Sequence, residues 1–99
     1  MNETSDVSIH KNIRERYYVY ILLSYTDHNL YIGYTTDLKQ RLAYHASGKV
    51  PATKMRRPLK LIHYEYFIDM KDAKAREKYL KSGYGRDQLK QFLKDTLIK

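Results

Sequence analysis

Apolar residues follow two different periods along the chain, one typical of strands and one typical of helices. Segments rich in β-branched and aromatic residues predict strands at 17–23 and 30–34, which the turn-forming loop SYTDHN joins into an antiparallel hairpin. A third such segment, 59–68, is apolar at odd and even positions alike. That pattern predicts a central strand with both faces buried.

The first predicted helix lies between the second and third strands. Leu38, Leu42 and His45 recur at helical spacing and would share one face. A threonine such as Thr36 would cap the start of this helix, and Gly48 would follow its end.

Two further helices complete the predicted fold. One starts at Asp69 and ends at Gly83, and the other covers 86–98. The buried stripe of the last helix is expected to contain Leu89, Phe92, Leu93 and Leu97. The order β-β-α-β-α-α predicts a small α+β domain in which helices pack on a three-stranded antiparallel sheet.

The length of 99 residues fits one domain, which we place at 16–99 behind a polar, flexible tail at 1–15. The absence of cysteine excludes disulfide bridges and thiolate zinc sites. No apolar run approaches the roughly 20 residues that cross a bilayer, and the segment MNETSDVSIH is too polar for a signal peptide. We therefore expect a soluble, cytoplasmic protein without membrane contact.

The charge balance points to a polyanionic partner. Nineteen Lys and Arg residues face eleven Asp and Glu residues, which gives a net charge of +8. Such a balance in a short chain is typical of nucleic-acid binding, although a solvated surface rich in lysine is the alternative. Four basic residues in the loop after the first helix would follow a nucleic-acid backbone without reading bases. They are Lys49, Lys54, Arg56 and Arg57.

The hairpin places two phenols on one side of the sheet. If the aliphatic residues of both strands share a face, Tyr20 and Tyr31 fall together on the opposite face, with Gly33 beside them. A glycine within a strand often marks the close approach of a ligand or of another part of the chain. The alternative is a cross-strand aromatic pair that only stabilises the hairpin.

Two side chains of the first helix are candidates for chemistry. Arg41 borders the apolar face, and His45 lies four residues further along, so the two should point in one direction. The alternatives are an arginine whose stem extends to solvent and a charged histidine that caps the end of the helix.

The third candidate is a carboxylate in the second helix. Met70, Ala73, Glu77 and Leu80 lie on one stripe of that helix. A carboxylate that faces the core must be paired or bound to a metal, and an ion pair with a nearby Lys or Arg is a common outcome. Mg²⁺ nevertheless needs only one or two carboxylates when phosphates and water complete its shell.

These residues together resemble the GIY-YIG nuclease domain. The segments Tyr18-Val19-Tyr20 and Tyr31-Ile32-Gly33 stand where that family has its two motif tripeptides, and the similarity extends over residues 17–84. The chain is most similar to short stand-alone members, which are related to the N-terminal nuclease module of UvrC-type excision-repair proteins.

The resemblance implies a role for each candidate. Tyr20 and Tyr31 would be the motif phenols, Arg41 the catalytic arginine, and His45 stands where other members have His or Tyr. Glu77 would be the sole protein ligand of Mg²⁺ or Mn²⁺. The implied activity is metal-dependent hydrolysis of phosphodiester bonds in DNA, structure-directed or related to repair. RNA or branched nucleic acid is an alternative substrate, and a partner protein would supply specificity.

The expected mechanism uses one phenol as a base. We expect Tyr31 to accept the proton of the attacking water and Tyr20 to orient water or phosphate, although the sequence does not separate the two. A phenol with an ordinary pKa of about 10 is a poor base, and Arg41 with the metal would lower that pKa.

Three departures from the family pattern support a second interpretation. Tyr18 replaces the first motif glycine, Tyr34 replaces a lysine of repair-type members, and no asparagine follows Glu77. The alternative function is therefore a catalytically weak or inactive nucleic-acid-binding module of the same fold. A third interpretation is a small protein-interaction domain, which would show no salt-sensitive binding of nucleic acid.

Overall fold

The computed structural model of the protein describes residues 16–98 and shows the predicted α+β fold. The predicted tail at 1–15 lies outside the described residues. The strands are β1 (Tyr17–Ser24), β2 (Leu30–Thr35) and β3 (Leu59–Phe67). The helices are α1 (Leu38–Ala46), α2 (Pro51–Lys54), α3 (Met70–Lys81), α4 (Gly83–Phe92) and α5 (Lys94–Leu97). Within residues 16–98, no helix combines the length and apolar character needed to cross a membrane.

The strands form one antiparallel sheet in the order β2-β1-β3, so β1 is the central strand. The prediction that the third strand is central was wrong. Its apolar pattern depends on tyrosines, and the side chains of Tyr64 and Tyr66 are exposed at 51% and 39%. A tyrosine serves equally well in a buried position and on a wet surface, so it is a weak indicator of burial on both faces.

The hydrophobic core lies on one face of the sheet, under α3 and α4. It contains Val19, Ile21, Leu30, Ile32, Ala73, Leu80, Leu89 and Leu93. The aliphatic residues of β1 and β2 therefore share a face, as predicted. The opposite face carries Tyr18, Tyr20 and Tyr31, whereas Tyr17 and Tyr34 pack against the core, and α1 packs against the opposite face through His45.

The helix boundaries differ from the predicted ones in three places. The carboxylate of Asp37, rather than a threonine, caps α1 by accepting the Gln40 backbone N–H at 3.1 Å. Helix α2 lies inside the segment predicted as a basic loop, with Pro51 as its first residue. The predicted third helix begins earlier, at Gly83, and it is interrupted at Leu93.

Phe92 corrects the predicted buried stripe of the last helix. Its side chain is 69% exposed, whereas Leu89 and Leu93 are buried. The ring instead meets the imidazole of His63 at the surface, with 5.5 Å between ring centroids. The buried stripe consists of Leu89, Leu93 and Leu97 at steps of four residues, and Phe92 lies beside it on the solvent side.

A substitution at Gly33 tests how tightly the sheet packs beneath the tyrosines. A Cβ at Gly33 would overlap the Tyr20 ring, which is fully buried and cannot move aside. We expect Gly33→Ala to lower the free energy of unfolding by about 1–3 kcal/mol, measured by urea denaturation. Gly83→Ala is the matched control, because nothing lies within 4 Å of a Cβ there. Equal stability of the two variants would contradict this packing.

Candidate active site

The candidate site lies at the free edge of β2, where the two phenols predicted from the sequence meet. Tyr20 pairs with Gly33 and Leu22 with Tyr31 across the hairpin, so both tyrosine side chains rise from the same face. Their ring centroids are 6.3 Å apart. Because Gly33 has no side chain, the Tyr20 ring extends over it and delivers its hydroxyl group beneath α1.

His45 holds the Tyr20 hydroxyl from above. Its Nε2 atom lies 2.7 Å from the Tyr20 oxygen, and its Nδ1 atom lies 2.7 Å from Oγ1 of Thr53 in α2. The imidazole is buried, and this burial together with the Arg41 charge lowers the pKa of His45 to about 4. His45 is therefore neutral at pH 7, and the alternative of a charged helix cap was wrong.

Arg41 completes the cluster from one turn earlier in α1. Its Nε donates a hydrogen bond to the Tyr20 oxygen at 3.4 Å, and this contact raises the pKa of the guanidinium while burial offsets part of the increase. The Arg41 side chain is half-buried, so solvent still reaches it. A planar guanidinium in such a position is suited to binding phosphate oxygens.

The pKa of the Tyr20 phenol is raised above its ordinary value. Burial is the largest cause, the hydrogen bond from Arg41 opposes it in part, and the nearby Tyr31 and Glu77 add to the increase. The environment of Tyr20 therefore keeps its hydroxyl protonated at neutral pH. Tyr31 is only half-buried and is the phenol of the pair that solvent can reach.

The four side chains of this cluster have one more hydrogen-bond donor than the cluster has hydrogen bonds. Arg41, Tyr20, neutral His45 and Thr53 bring four N–H or O–H groups to three hydrogen bonds. If Thr53 donates to Nδ1, then His45 and Arg41 both donate to the Tyr20 oxygen. The Tyr20 proton is then directed away from the cluster. If the tautomer is reversed, the buried Thr53 hydroxyl keeps a proton with no acceptor among residues 16–98.

Glu77 lies in α3, near the cluster of Tyr20, Arg41 and His45. Its carboxylate forms an ion pair with Lys81 at 2.9 Å, and its side chain is 21% exposed. The carboxylate lies close enough to contribute to the raised pKa of Tyr20. The ion pair with a neighbouring lysine, one of the two outcomes expected from the sequence, is thus present in the structure.

Glu77 is a suitable ligand for a hard cation, but only with help from other oxygen atoms. Residues 16–98 contain no group of three or more His, Cys, Asp or Glu side chains that could hold a metal ion. A single, partly exposed carboxylate fits Mg²⁺ when water and phosphate fill the other positions. An ion at this position would replace the ammonium group of Lys81 as the partner of Glu77.

The four predicted nucleic-acid contacts fall into two pairs. Arg56 is bound to Asp27 at 2.6 Å, and Arg57 donates to the backbone oxygens of Lys54 and Ala46. These two arginines hold the segment before β3 in place. Lys49 and Lys54 are exposed, and the Lys49 ammonium lies 5.4 Å from the centre of the Tyr44 ring.

Sequence reasoning missed Thr53 and Lys81 as parts of the site. Thr53 lies in the segment interpreted as a loop, and Pro51 followed by Ala52 was the one available sign of a helix start. Lys81 follows Glu77 by four residues, the spacing of an ion pair on one helical face.

Comparison with known proteins identifies the family of the chain. Residues 16–91 match the family model of the GIY-YIG catalytic domain, so the chain belongs to the GIY-YIG family. It is 44% identical over 85 residues to the UPF0213 protein YsiG of Lactococcus lactis subsp. lactis, an alignment that covers 85% of this chain and 81% of the relative. It is 40% identical to a UPF0213 protein of Pediococcus acidilactici over 83% of this chain and 86% of that one.

A solved structure shows the same similarity. The solution NMR structure of the UPF0213 protein BH0048 from Bacillus halodurans is 36% identical and superposes with a TM-score of 0.51. The match covers 78% of this chain and 84% of the other. The resemblance to short stand-alone GIY-YIG proteins is therefore confirmed.

The buried imidazole predicts how stability depends on pH. Unfolded His45 takes up a proton near pH 6.5 and the folded group only near 4, so stability is complete above pH 6.5 and decreases as the pH falls towards 4. Between pH 7 and pH 5 we expect a loss of about 2 kcal/mol, measured by urea denaturation. His45→Gln should reduce this slope, and an equally steep slope in that variant would contradict the assignment.

Thr53 can be tested by removing only its hydroxyl. Thr53→Val keeps the shape of the side chain but leaves Nδ1 of His45 buried without its partner. We expect a loss of about 1–3 kcal/mol in the free energy of unfolding, and Thr53→Ser should recover most of it. If serine and valine are equally destabilising, the methyl group of Thr53 matters and not the hydrogen bond.

Proposed function

We propose that the protein is a metal-dependent endonuclease that hydrolyses phosphodiester bonds in DNA. The observation that carries this proposal is the meeting of Arg41 with the phenols of Tyr20 and Tyr31 at a solvent-reachable sheet edge. A strand-stabilising aromatic pair alone would not need a neutral buried histidine, a guanidinium and a glycine around one hydroxyl group.

Arg41 would bind the scissile phosphate. Phosphodiester hydrolysis builds negative charge on the phosphate oxygens, and a fixed, charged donor stabilises that charge most in the transition state. The hydrogen bond to Tyr20 restrains the position of the guanidinium, while its half-buried state leaves donors directed towards solvent. Tyr20 therefore positions Arg41 as well as contributing its own hydroxyl.

The two phenols would have different roles. Tyr31 is the solvent-reachable one and is our candidate for the group that accepts the proton of the attacking water. Tyr20 is fully buried and keeps its proton, so it would orient the phosphate and the water indirectly, by holding Arg41 in position.

Glu77 would hold Mg²⁺ or Mn²⁺ at the same edge. A bound divalent ion supplies Lewis-acid stabilisation of the phosphate and of the leaving oxygen. The carboxylate must first exchange Lys81 for that ion. Once displaced, Lys81 remains near the site as a second positive charge for the nucleic-acid backbone.

DNA would be bound mainly through its phosphates. The net charge of +8 and the exposed side chains of Lys49 and Lys54 favour a salt-sensitive interaction without strong sequence preference. The resemblance to repair-type modules extends the proposal to branched or structured DNA, with a partner protein as a source of specificity.

The second candidate function is a binding module without turnover. The specific observation in its favour is that Lys81 already neutralises Glu77, so the carboxylate has a partner without a metal ion. This module would keep Arg41 and the lysines for phosphate binding. It would not release cleaved product under any metal condition.

Cleavage assays distinguish the two functions. Plasmid, branched DNA and RNA are incubated with the full chain in Mg²⁺, in Mn²⁺ and after addition of EDTA. We expect metal-dependent nicking that decreases at least about 100-fold in Arg41→Lys, since a lost charge-stabilising donor costs about that much, and that disappears in Glu77→Gln.

Asp87→Asn is the matched control for Glu77→Gln, because it removes an exposed carboxylate from α4. Its rate should equal that of the unmodified protein. Retention of DNA with no cut product in any metal would leave the binding module as the function. If Glu77→Gln still cleaves DNA, Glu77 is not the metal ligand that the reaction needs.

A further inference from the structure

We propose that Tyr18, Tyr64 and Tyr66 form a stacking surface for unpaired bases of single-stranded nucleic acid. This proposal deepens the proposed function, since it rests on nucleic acid being the ligand of the adjacent site. We call these three side chains the tyrosine surface. The nuclease mechanism uses none of them.

The tyrosine surface is continuous with the candidate active site. Tyr64 is the direct cross-strand partner of Tyr20, and Tyr66 is the partner of Tyr18. Partners in an antiparallel pair project from the same face with Cα atoms about 5 Å apart. A base that stacks on Tyr64 would therefore lie on the same face as Tyr20, one strand away from it, while the Tyr20 ring extends the other way, over Gly33 of β2.

The three rings form one cluster at the surface. The Tyr18 ring lies 6.1 Å from that of Tyr64 and 5.7 Å from that of Tyr66, measured between centroids. Tyr64 and Tyr66 are substantially exposed, and Tyr18 is half-buried between them and the rest of the sheet. The core-facing side of β3 is packed under α3, so these rings are not needed to build the hydrophobic core.

An edge strand usually protects its exposed face with charged or short polar side chains. Here β3 instead presents two large aromatic rings at alternate positions. Threonine would serve the strand backbone equally well. Exposed aromatic rings in a row beside a phosphate-binding group are the arrangement that proteins use for single-stranded nucleic acid.

A groove beside the tyrosine surface carries two cationic side chains and one carboxylate. A cavity of about 390 Å³ lies between Tyr18 and the start of α1, and its lining includes Arg16, Lys39 and Asp37 together with Leu38 and Leu42. The exposed Lys39 can meet a phosphate while the leucines and Tyr18 contact a sugar or base. In a duplex the base faces are covered by their neighbours, so this surface selects unpaired nucleotides.

Binding is measured without cleavage, in EDTA, by the fluorescence anisotropy of labelled nucleic acid. The probes are an oligothymidylate of about 12 nucleotides and a duplex of equal length. Tyr64→Thr and Tyr66→Thr should each bind the single strand about tenfold more weakly, the loss expected for one base stack. Tyr64→Phe and Tyr66→Phe keep the ring and should bind within about twofold of the unmodified protein.

Tyr84→Thr is the matched control, since it removes an exposed ring of α4 outside the tyrosine surface. It should bind like the unmodified protein, and duplex affinity should change little in every variant. If a threonine variant does not fold, NMR of the unmodified protein tests whether the rings contact the nucleic acid. Ring-proton shifts of Tyr64 and Tyr66 on titration with the oligothymidylate are expected, and their absence would overturn the proposal.

The outcomes separate this proposal from the proposed function. Unchanged single-strand binding in the threonine variants would overturn the tyrosine surface, and a protein partner would then be the candidate for that face. This result would not affect the proposed nuclease function, which the cleavage assays test separately. Equal losses on single strand and duplex would also overturn it, because stacking requires unpaired bases. Weaker single-strand binding in a protein that cleaves nothing would support the tyrosine surface and reject the nuclease.

Discussion

The hydroxyl group of Tyr20 is held in one place by a hydrogen bond to a neutral, buried histidine, and the candidate site depends on this contact. The ring reaches His45 only because Gly33 leaves room beneath it, and His45 keeps its position only because Thr53 holds the other nitrogen. The sheet, α1 and α2 are therefore connected through one buried oxygen atom, the hydroxyl oxygen of Tyr20. The neutral state of the imidazole is part of the same constraint, because a second positive charge beside Arg41 would be unfavourable.

This constraint also explains why two neighbouring tyrosines are not equivalent. Burial makes Tyr20 a rigid element that fixes Arg41 and keeps its own proton. Tyr31, two residue pairs further along the hairpin, is only half-buried, so solvent reaches it. The pairing of β1 with β2 thus supplies both a fixed hydroxyl and a more accessible one, which is what the proposed proton transfer next to a phosphate would require.

Much of this arrangement follows from the sequence, because side-chain direction alternates along a strand. That alternation placed Tyr20 and Tyr31 on one face and the aliphatic residues on the other, and helical spacing placed Arg41 beside His45. It could not give the order of the strands, since β1 and β3 are both rich in aromatic residues. Thr53 was not predictable, because α2 spans four residues and is too short to show a period.

The electrostatic balance of the site connects the two functions that we considered. Before any ligand binds, Arg41 and Lys81 each have a polar partner within residues 16–98. A phosphate could bind Arg41 without disturbing Glu77, so the proposed binding of nucleic acid would not require a metal ion. The proposed hydrolysis would require one, and Glu77 would have to release Lys81 in order to hold it. Since Lys81 is half exposed and its pairing with Glu77 is a surface contact of modest strength, a divalent ion shared with a bound phosphate can compete for the carboxylate. In the proposed function, the same geometry would therefore bind phosphate in either state and would act chemically only when a cation and a phosphate are both present.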